Sequence, residues 1–464
     1  MNFSGISPRL KNPPVLDEGF RPLVLENRAF LKAVGESGLA APVKVAVERE
    51  KGQIAVYETQ VFANGMEEYN CQYIERLIKT ILWLKGGVRI IFSGPDSIYH
   101  FLRNAYAPGG VRAFDAEFMS RVYEREFTVE LVDESRIPLA FERAEPVGGS
   151  LEGCRIGFDA GGSDRKVAAL LNGEVVFSEE VIWHPKTQSD PDYHYHEIKA
   201  AILKAASYLP RVDAIGVSSA GIYVNNRTMV ASLFLKVPPP LFDQKIKDIY
   251  LNIAHELGDI PIEVRNDGDV TALAGAMSLQ CTNILGIAMG TSQAAGYIDG
   301  AGNITGCLNE LAFVPVDNNP SAAIDEWSGD RGCGVKYFSQ DAVIRLAPVA
   351  GIQLKTEDTP ALKLTAVQEL LRSGDERAEM IFETIGCYLG YSLAYYAEFY
   401  DLKHTLILGR VTSGAGGNII LKNAREVLEL EFPELAQKIQ LHLPDENSRR
   451  VGQAIAAAGL PILK

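Results

Sequence analysis

Apolar and polar residues along this chain alternate with two different periods, and the switches between them mark its elements. Val43 to Val47 reads as a strand, with Ile54 to Val61 as its hairpin partner across Lys51-Gly52. Tyr69 to Leu84 carries apolar residues at helical spacing and stops at Gly86-Gly87. Val88 to Phe92 and Phe127 to Val132 are further strands, while residues 1–40, broken by Pro8, Pro13, Pro14 and Pro22, read as irregular. A second run follows. Arg155 to Phe158, Lys166 to Leu171 and Glu174 to Val181 form a meander turned at Asn172-Gly173, a pair suited to a two-residue hairpin. Helix Tyr195 to Leu209, strand Ala214 to Val217, helix Gln244 to Leu257, strand Pro261 to Val264 and helix Asp269 to Leu279 complete it. Strand Ile284 to Ala288 opens a third run. It continues with strand pieces to Val316, helices over Thr365 to Ser373 and Glu376 to Tyr400, strand Thr405 to Leu408, a helix from Asn418 and a small-residue helix, Ser448 to Ala458.

Glu145 to Ser150 is rich in Pro and Gly and reads as a linker, so three segments are expected. They are an N-terminal α/β domain over 1–150, a lobe over 151–280 and a second lobe over 281–464, whose last helix is free to pack back on the first lobe. The first two segments share the order strand, turn, strand, helix, strand. The first therefore reads either as a degenerate copy of the second without its glycine loop or as an unrelated small α/β domain.

Length and charge narrow the function. A chain of 464 residues is too long for one core. Its net charge of -14 makes it a poor non-specific binder of nucleic acid, so phosphate handling would rest on backbone amides, a metal ion and a few bases. The opening has no apolar run after its charges, so no signal peptide is expected, and no apolar stretch is long enough to span a bilayer. A cytoplasmic location follows by elimination, with no membrane partner. The six cysteines include no C-x-x-C pair and read as reduced, mostly buried thiols.

Four stretches carry chemistry. In Gly157-Phe158-Asp159-Ala160-Gly161-Gly162-Ser163 a strand ends in an acid and runs into a glycine turn, which suits a magnesium ion at Asp159 and a phosphate on the turn. Gly290-Thr291-Ser292 repeats that grammar between two apolar strands. In Asn266-Asp267-Gly268-Asp269 a strand ends in acids before a helix of small residues. Asp267 is placed to accept a hydroxyl proton, and Asp269 reads as the helix N-cap. Gly409 to Gly417 is a glycine-rich strand-to-helix turn suited to a flat nucleoside, approached at Gly409 and Gly414.

In this order the four stretches resemble the actin/hexokinase/Hsp70 ATPases, and Asn266-Asp267 with its helix is most similar to the ROK (repressor, open reading frame, kinase) family of sugar kinases, from about Cys154 onward. Asn309-Glu310-Leu311-Ala312-Phe313 resembles that family's Glu-Ile-Gly-His, and Gly329-Asp330-Arg331-Gly332-Cys333 its Gly-Asn-Arg-Gly-Cys. The resemblance implies a two-lobed actin-like α/β fold with ribonuclease H-like lobes. It implies ATP between the lobes, Mg²⁺ near Asp159, phosphates on Gly161, Gly162, Ser163, Gly290, Thr291 and Ser292, and adenosine near Gly409 and Gly414. A sugar hydroxyl would be deprotonated by Asp267 and oriented by Asn266 and Glu310, in a homodimer. The chain also departs from the family. Its zinc ligands, one His and three Cys, fall here on Phe313, Glu326, Ser328 and Cys333, so no structural zinc is expected. Phe313 and Val335 also replace two usual sugar contacts, which points away from glucose itself. Two readings follow: an ATP-dependent sugar kinase, or a non-catalytic sugar- or nucleotide-sensing scaffold on the same fold. The strand-rich first segment lacks a basic recognition helix, so DNA binding is not expected. His184, His194 and His196 flank a loop and give no ligand geometry for a metal.

Overall fold

The computed structural model of the chain describes residues 8–144, 146, 149–444 and 452–463. Of the expected linker, Glu145, Val147 and Gly148 lie outside the described residues, as do Ser448 to Val451 of the expected last helix.

The chain begins with an element the prolines concealed. Helix α1, Leu23–Ser37, starts directly after Pro22 and ends at Gly38, whose φ of 66° lies in the left-handed region. It buries Leu23, Val24, Phe30 and Val34, a spacing that places all four on one face. Then come β1 (Ala40–Glu48), β2 (Ile54–Phe62), α2 (Glu67–Lys85), β3 (Arg89–Ser93), α3 (Asp96–Ala105), α4 (Ala113–Tyr123) and β4 (Thr128–Leu131). The sheet order is β2-β1-β3-β4. β1 runs antiparallel to both β2 and β3, with Lys44 opposite Ser93 and Glu48 opposite Arg89.

The next strands are β5 (Cys154–Ala160), β6 (Asp164–Leu171) and β7 (Glu174–Ile182), a meander turned at Asn172 and Gly173, both at positive φ. They are followed by α5 (Pro191–Ala206), β8 (Ala214–Ser219), a small hairpin of β9 (Ile222–Val224) and β10 (Arg227–Val230), α6 (Pro239–Leu241), α7 (Ile249–Glu256), β11 (Ile262–Asn266) and α8 (Asp267–Leu279). The single helix expected over 244–257 is broken: a π-helical turn at Phe242–Ile246 precedes α7. The sheet order is β11-β8-β5-β6-β7, with β5, β8 and β11 parallel and the meander antiparallel. That direction separates it from the first sheet: β8 is parallel to β5, whereas β3 is antiparallel to β1. The first segment is therefore not a degenerate copy of the second.

The remaining elements are β12 (Ile284–Met289), β13 (Gln293–Ile298), α9 (Gln340–Val349), α10 (Pro360–Arg372), α11 (Glu376–Tyr396), β14 (His404–Leu408), α12 (Gly416–Glu431), α13 (Pro433–Lys438), β15 (Gln440–His442) and α14 (Gly452–Ala458), with sheet order β13-β12-β14-β15.

These elements fall into two compact units, and their membership differs from the expected segments. Unit 1 holds residues 1–143, 288–294 and 306–443; unit 2 holds 144–287, 295–305 and 444–464. The N-terminal segment is thus built into the same body as most of the expected second lobe. Its first described residues lie along α11. The Asn12 carbonyl accepts from Tyr391 Oη at 3.2 Å, Asp17 accepts from Tyr388 Oη at 2.5 Å, and the Phe20 ring packs 4.7 Å from that of Tyr388. The tyrosines of α11 are a covered core face.

A buried charge cluster ties α2 to the segment after 306. Lys79, wholly buried, lies 3.1 Å from Asp115 and 3.2 Å from Asp330. Arg76 and Arg112 reach Asp330 at 2.9 and 2.7 Å, and Arg112 also pairs with Glu75. Three cations thus meet three carboxylates, and the Asp330 carboxyl is held far below the ordinary range by those cations against the cost of its burial.

Unit 2 is closed by α14. A Cβ on Gly157 would lie 1.7 Å from the Ala454 carbonyl, and one on Gly216 1.6 Å from that of Ala457, so the helix can lie on β5 and β8 only over glycine.

Candidate active site

In unit 2 the parallel strands β5, β8 and β11 end side by side. Asp159 stands opposite Ser218, and Ser219 opposite Asn266. The carboxyl ends of such strands are where α/β sheets place ligands. Asp159 is 4% exposed and its Oδ1 accepts from Ser218 Oγ at 2.8 Å. Burial raises its pKa, offset by the Lys166 ammonium, 4.0 Å from Oδ2, and by the Ser218 bond. Lys166 is itself steadied by Asp164 at 2.7 Å.

Asp267 follows on the last residue of β11 and begins α8. Burial, then the neighbouring Asp159 charge, pushes its carboxyl up to about 6, against the Gly268 N–H and the positive charge of Lys186. The helix cap is Asn266, not Asp269: the Asn266 Oδ1 accepts from Gly268 N at 2.7 Å, and its Nδ2 donates to the Gly221 carbonyl at 2.6 Å. Asp269 instead lies buried in the first helical turn. Both polar ends of Asn266 are thus engaged within the protein, which fixes the turn that aims Asp267. Ser219 accepts from Tyr223 Oη at 2.6 Å and Tyr250 Oη at 3.0 Å, phenols that burial keeps neutral, Tyr250 at about 12.

The glycine turn after β5 is anchored by Trp183, which is 1% exposed. Its Nε1 donates to the Gly161 carbonyl at 2.7 Å and its backbone N–H to the Ser163 carbonyl at 3.2 Å. Gly161, Gly162, Ser163, Asp159, Asn266 and Asp267 therefore belong to one arrangement in unit 2. One further residue near it lies in a loop that carries no motif. Lys186, in the turn after β7, reaches over Gly162, its Nζ 3.0 Å from where a Cβ would be. The run His-Pro-Lys-Thr gave no signal of this, because only the third dimension brings it to the glycines.

The other expected residues lie in unit 1. Gly290 N donates to the Ser292 carbonyl at 2.9 Å, closing the turn that carries Thr291, and the Gly290 carbonyl accepts from Gln340 N at 2.9 Å. Gly409, at φ 101°, ends β14 so close to β12 that a Cβ would meet the Met289 carbonyl at 2.5 Å. Its turn and the Gly290 turn are thus neighbours, with Gly414, at φ 66°, further along the same loop. Glu310 is half-buried and donates its N–H to the Trp83 carbonyl at 3.0 Å, beside Asn309, which accepts from Tyr400 Oη at 2.9 Å.

The positions aligned with zinc ligands are engaged otherwise. Phe313 stacks 4.2 Å from Trp83, Glu326 pairs with Lys336 at 2.6 Å, and Ser328 donates to Asp325 at 2.6 Å. Burial pushes the Cys333 thiol up to about 12. Among the described residues no group of three or more His, Cys, Asp or Glu is arranged to hold a metal ion. His194 in particular is enclosed, its ring nitrogens 3.0 Å from the Pro185 carbonyl and 3.2 Å from the Asp190 carbonyl. Among the described residues no helix is long and apolar enough to cross a membrane.

Comparisons with known proteins bear on the family and on the fold. The model of the ROK family matches residues 155–435, well over half of the chain. A ROK hexokinase from Thermus thermophilus is similar at a TM-score of 0.52 and 18% identity, covering 66% of this chain and 97% of that one. A ROK family glucokinase from Streptomyces griseus, solved with glucose and AMPPNP, gives 0.51 and 21%, covering 67% and 99%. A ROK family transcriptional regulator, a homologue of the E. coli MLC protein, gives 0.50 and 19%, covering 66% and 78%. No curated protein matches the chain. At these identities the structural likeness bears on the fold alone, a two-lobed actin-like α/β fold with an additional N-terminal region.

Proposed function

The chain belongs to the ROK family, and from that premise we propose that it transfers the terminal phosphoryl group of ATP to a hydroxyl of a sugar or sugar derivative. The observation that carries the reading is Asp267. Its carboxyl sits at a strand end beside Asp159, with its pKa pushed up to about 6, near the working range of a general base. In the step, the acceptor oxygen bonds to the γ-phosphorus as its proton passes to the Asp267 carboxylate. The bond from phosphorus to the ADP oxygen breaks, and ADP leaves with that electron pair.

Magnesium would be held by Asp159, one of whose oxygens is free of the Ser218 bond. A single carboxylate with waters and phosphate oxygens is what this ion accepts. When bound it would neutralise phosphate charge. The Gly161, Gly162 and Ser163 turn, locked by Trp183, takes phosphate oxygens on its amides and hydroxyl. Gly290, Thr291 and Ser292 do the same in unit 1, and the Gly409 to Gly414 loop accommodates adenosine. Asn266 orients Asp267, and Glu310 takes a sugar hydroxyl. No structural zinc is part of the reading. A cytoplasmic homodimer without nucleic-acid or membrane partners completes it.

The test is ADP release from Mg-ATP across hexoses, amino sugars and N-acetylated sugars. Turnover with at least one class is expected, and a modified sugar should surpass glucose, because the apolar Phe313 and Val335 leave glucose hydroxyls unpaired. No turnover with any sugar, while ATP or sugar still binds, would replace the kinase with a sensing or scaffold protein.

A further inference from the structure

Lys186 has surroundings unlike those of the other lysines at this site. Lys166 is taken up by Asp164 and Asp159. Lys186 is exposed, and among the described residues no carboxylate pairs with it. It nevertheless does not extend freely into solvent. Its Cε and Nζ lie 2.9 and 3.0 Å from the place a Cβ on Gly162 would occupy, so the ammonium rests on the bare backbone of the glycine turn.

The loop beneath it is held firmly. Pro185 is buried, and Pro185–Thr187 form a single 3₁₀ turn. Thr187 Oγ1 donates to the His184 carbonyl at 3.0 Å, and the Tyr193 hydroxyl lies 3.2 Å from the His184 N–H that donates to it. The wholly buried His194 ring spans the Pro185 and Asp190 carbonyls and packs on Phe234, 4.9 Å between ring centres. A lysine anchored at its backbone, and directed over a glycine turn whose Gly161 and Ser163 carbonyls are already taken by Trp183, is built as an anion contact.

We propose that Lys186 is a phosphate-binding residue: its ammonium and the Gly161–Ser163 turn hold the same oxygens of a nucleotide polyphosphate. The proposal rests on the kinase reading for the identity of the ligand but not for its chemistry. The charge acts also on the base. Lys186 favours the ionised form of Asp267.

The experiment compares the full-length parent with Lys186→Ala and Lys186→Arg, by calorimetric titration with Mg-ATP and with AMP, and by the pH dependence of turnover. The side chain is exposed, so both variants should fold, and circular dichroism checks it. Loss of a charge-assisted contact should weaken Mg-ATP binding by about 10- to 100-fold in Lys186→Ala and leave AMP unchanged. Lys186→Arg should stay within about threefold of the parent. The acid limb of the rate profile should move to higher pH in Lys186→Ala, which a merely structural role would not produce. Mg-ATP affinity within about twofold of the parent overturns the proposal, even where sugar-dependent turnover upholds the kinase reading. Lysine-dependent ATP binding in a parent without turnover does the reverse, and a parent that binds no ATP overturns both.

Discussion

Asp267→Asn is expected to lower kcat by about 10²- to 10⁴-fold while Mg-ATP binding stays within about threefold of the parent. The amide keeps the size of the side chain but cannot take the proton of the attacking hydroxyl. In the parent, kcat/KM should fall as the pH drops through about 6, where the carboxylate becomes protonated. The same substitution should stabilise the fold. A carboxyl whose folded pKa is raised contributes stability that is complete below its unfolded value of about 4 and is lost as the pH rises through about 6. Asn removes that cost. Two units correspond to about 3 kcal/mol, and partial exposure of Asp267 screens this to about 1–2 kcal/mol at neutral pH. Thermal melts at about pH 8 and about pH 4 check it, since the gain should be confined to the higher pH. Undiminished turnover in the variant removes Asp267 as the base.

Asp330→Asn is expected to cost about 3–5 kcal/mol of stability. The parent cluster sets Arg76, Lys79 and Arg112 against Glu75, Asp115 and Asp330, and Asp330 is the carboxylate touched by all three cations. Removing it leaves one buried positive charge without a counterpart, at a place where Lys79 has no exposure at all. The carboxyl lies below its ordinary range, so its contribution is present above about pH 4 and disappears as the pH falls further. Urea titration at neutral pH measures the loss. A difference under about 1 kcal/mol would show that water already screens the cluster.

What the sequence made legible was governed by short-range chemistry. The Asn172-Gly173 turn, the meander around it and the acid-ended strands β5 and β11 follow from residues within a few positions of one another. Helix α1 is obscured in the sequence because Pro22 reads as part of an irregular lead rather than as the residue before a helix. Asp269 reads as the cap because Asp and Asn satisfy the same amides, and only the Gly268 N–H shows that Asn266 does so. Unit membership was illegible for a different reason. Arg76, Lys79 and Arg112 look like ordinary surface cations until the segment carrying Asp330 meets them. Lys186 belongs to the same class, since a lysine's partner, here a glycine, leaves no mark on the lysine's own neighbours in sequence.

The glycine seats for α14 have a consequence for how the protein is made. β5 and β8 are made before the helix that covers Gly157 and Gly216, and the elements from α8 to β15 are made between them. Throughout that interval the nascent chain carries a two-glycine groove between apolar strands, with its covering helix not yet synthesised. Unit 2 is therefore closed by a contact of long sequence separation, the kind whose loop-closure entropy must be met before the packing rewards it.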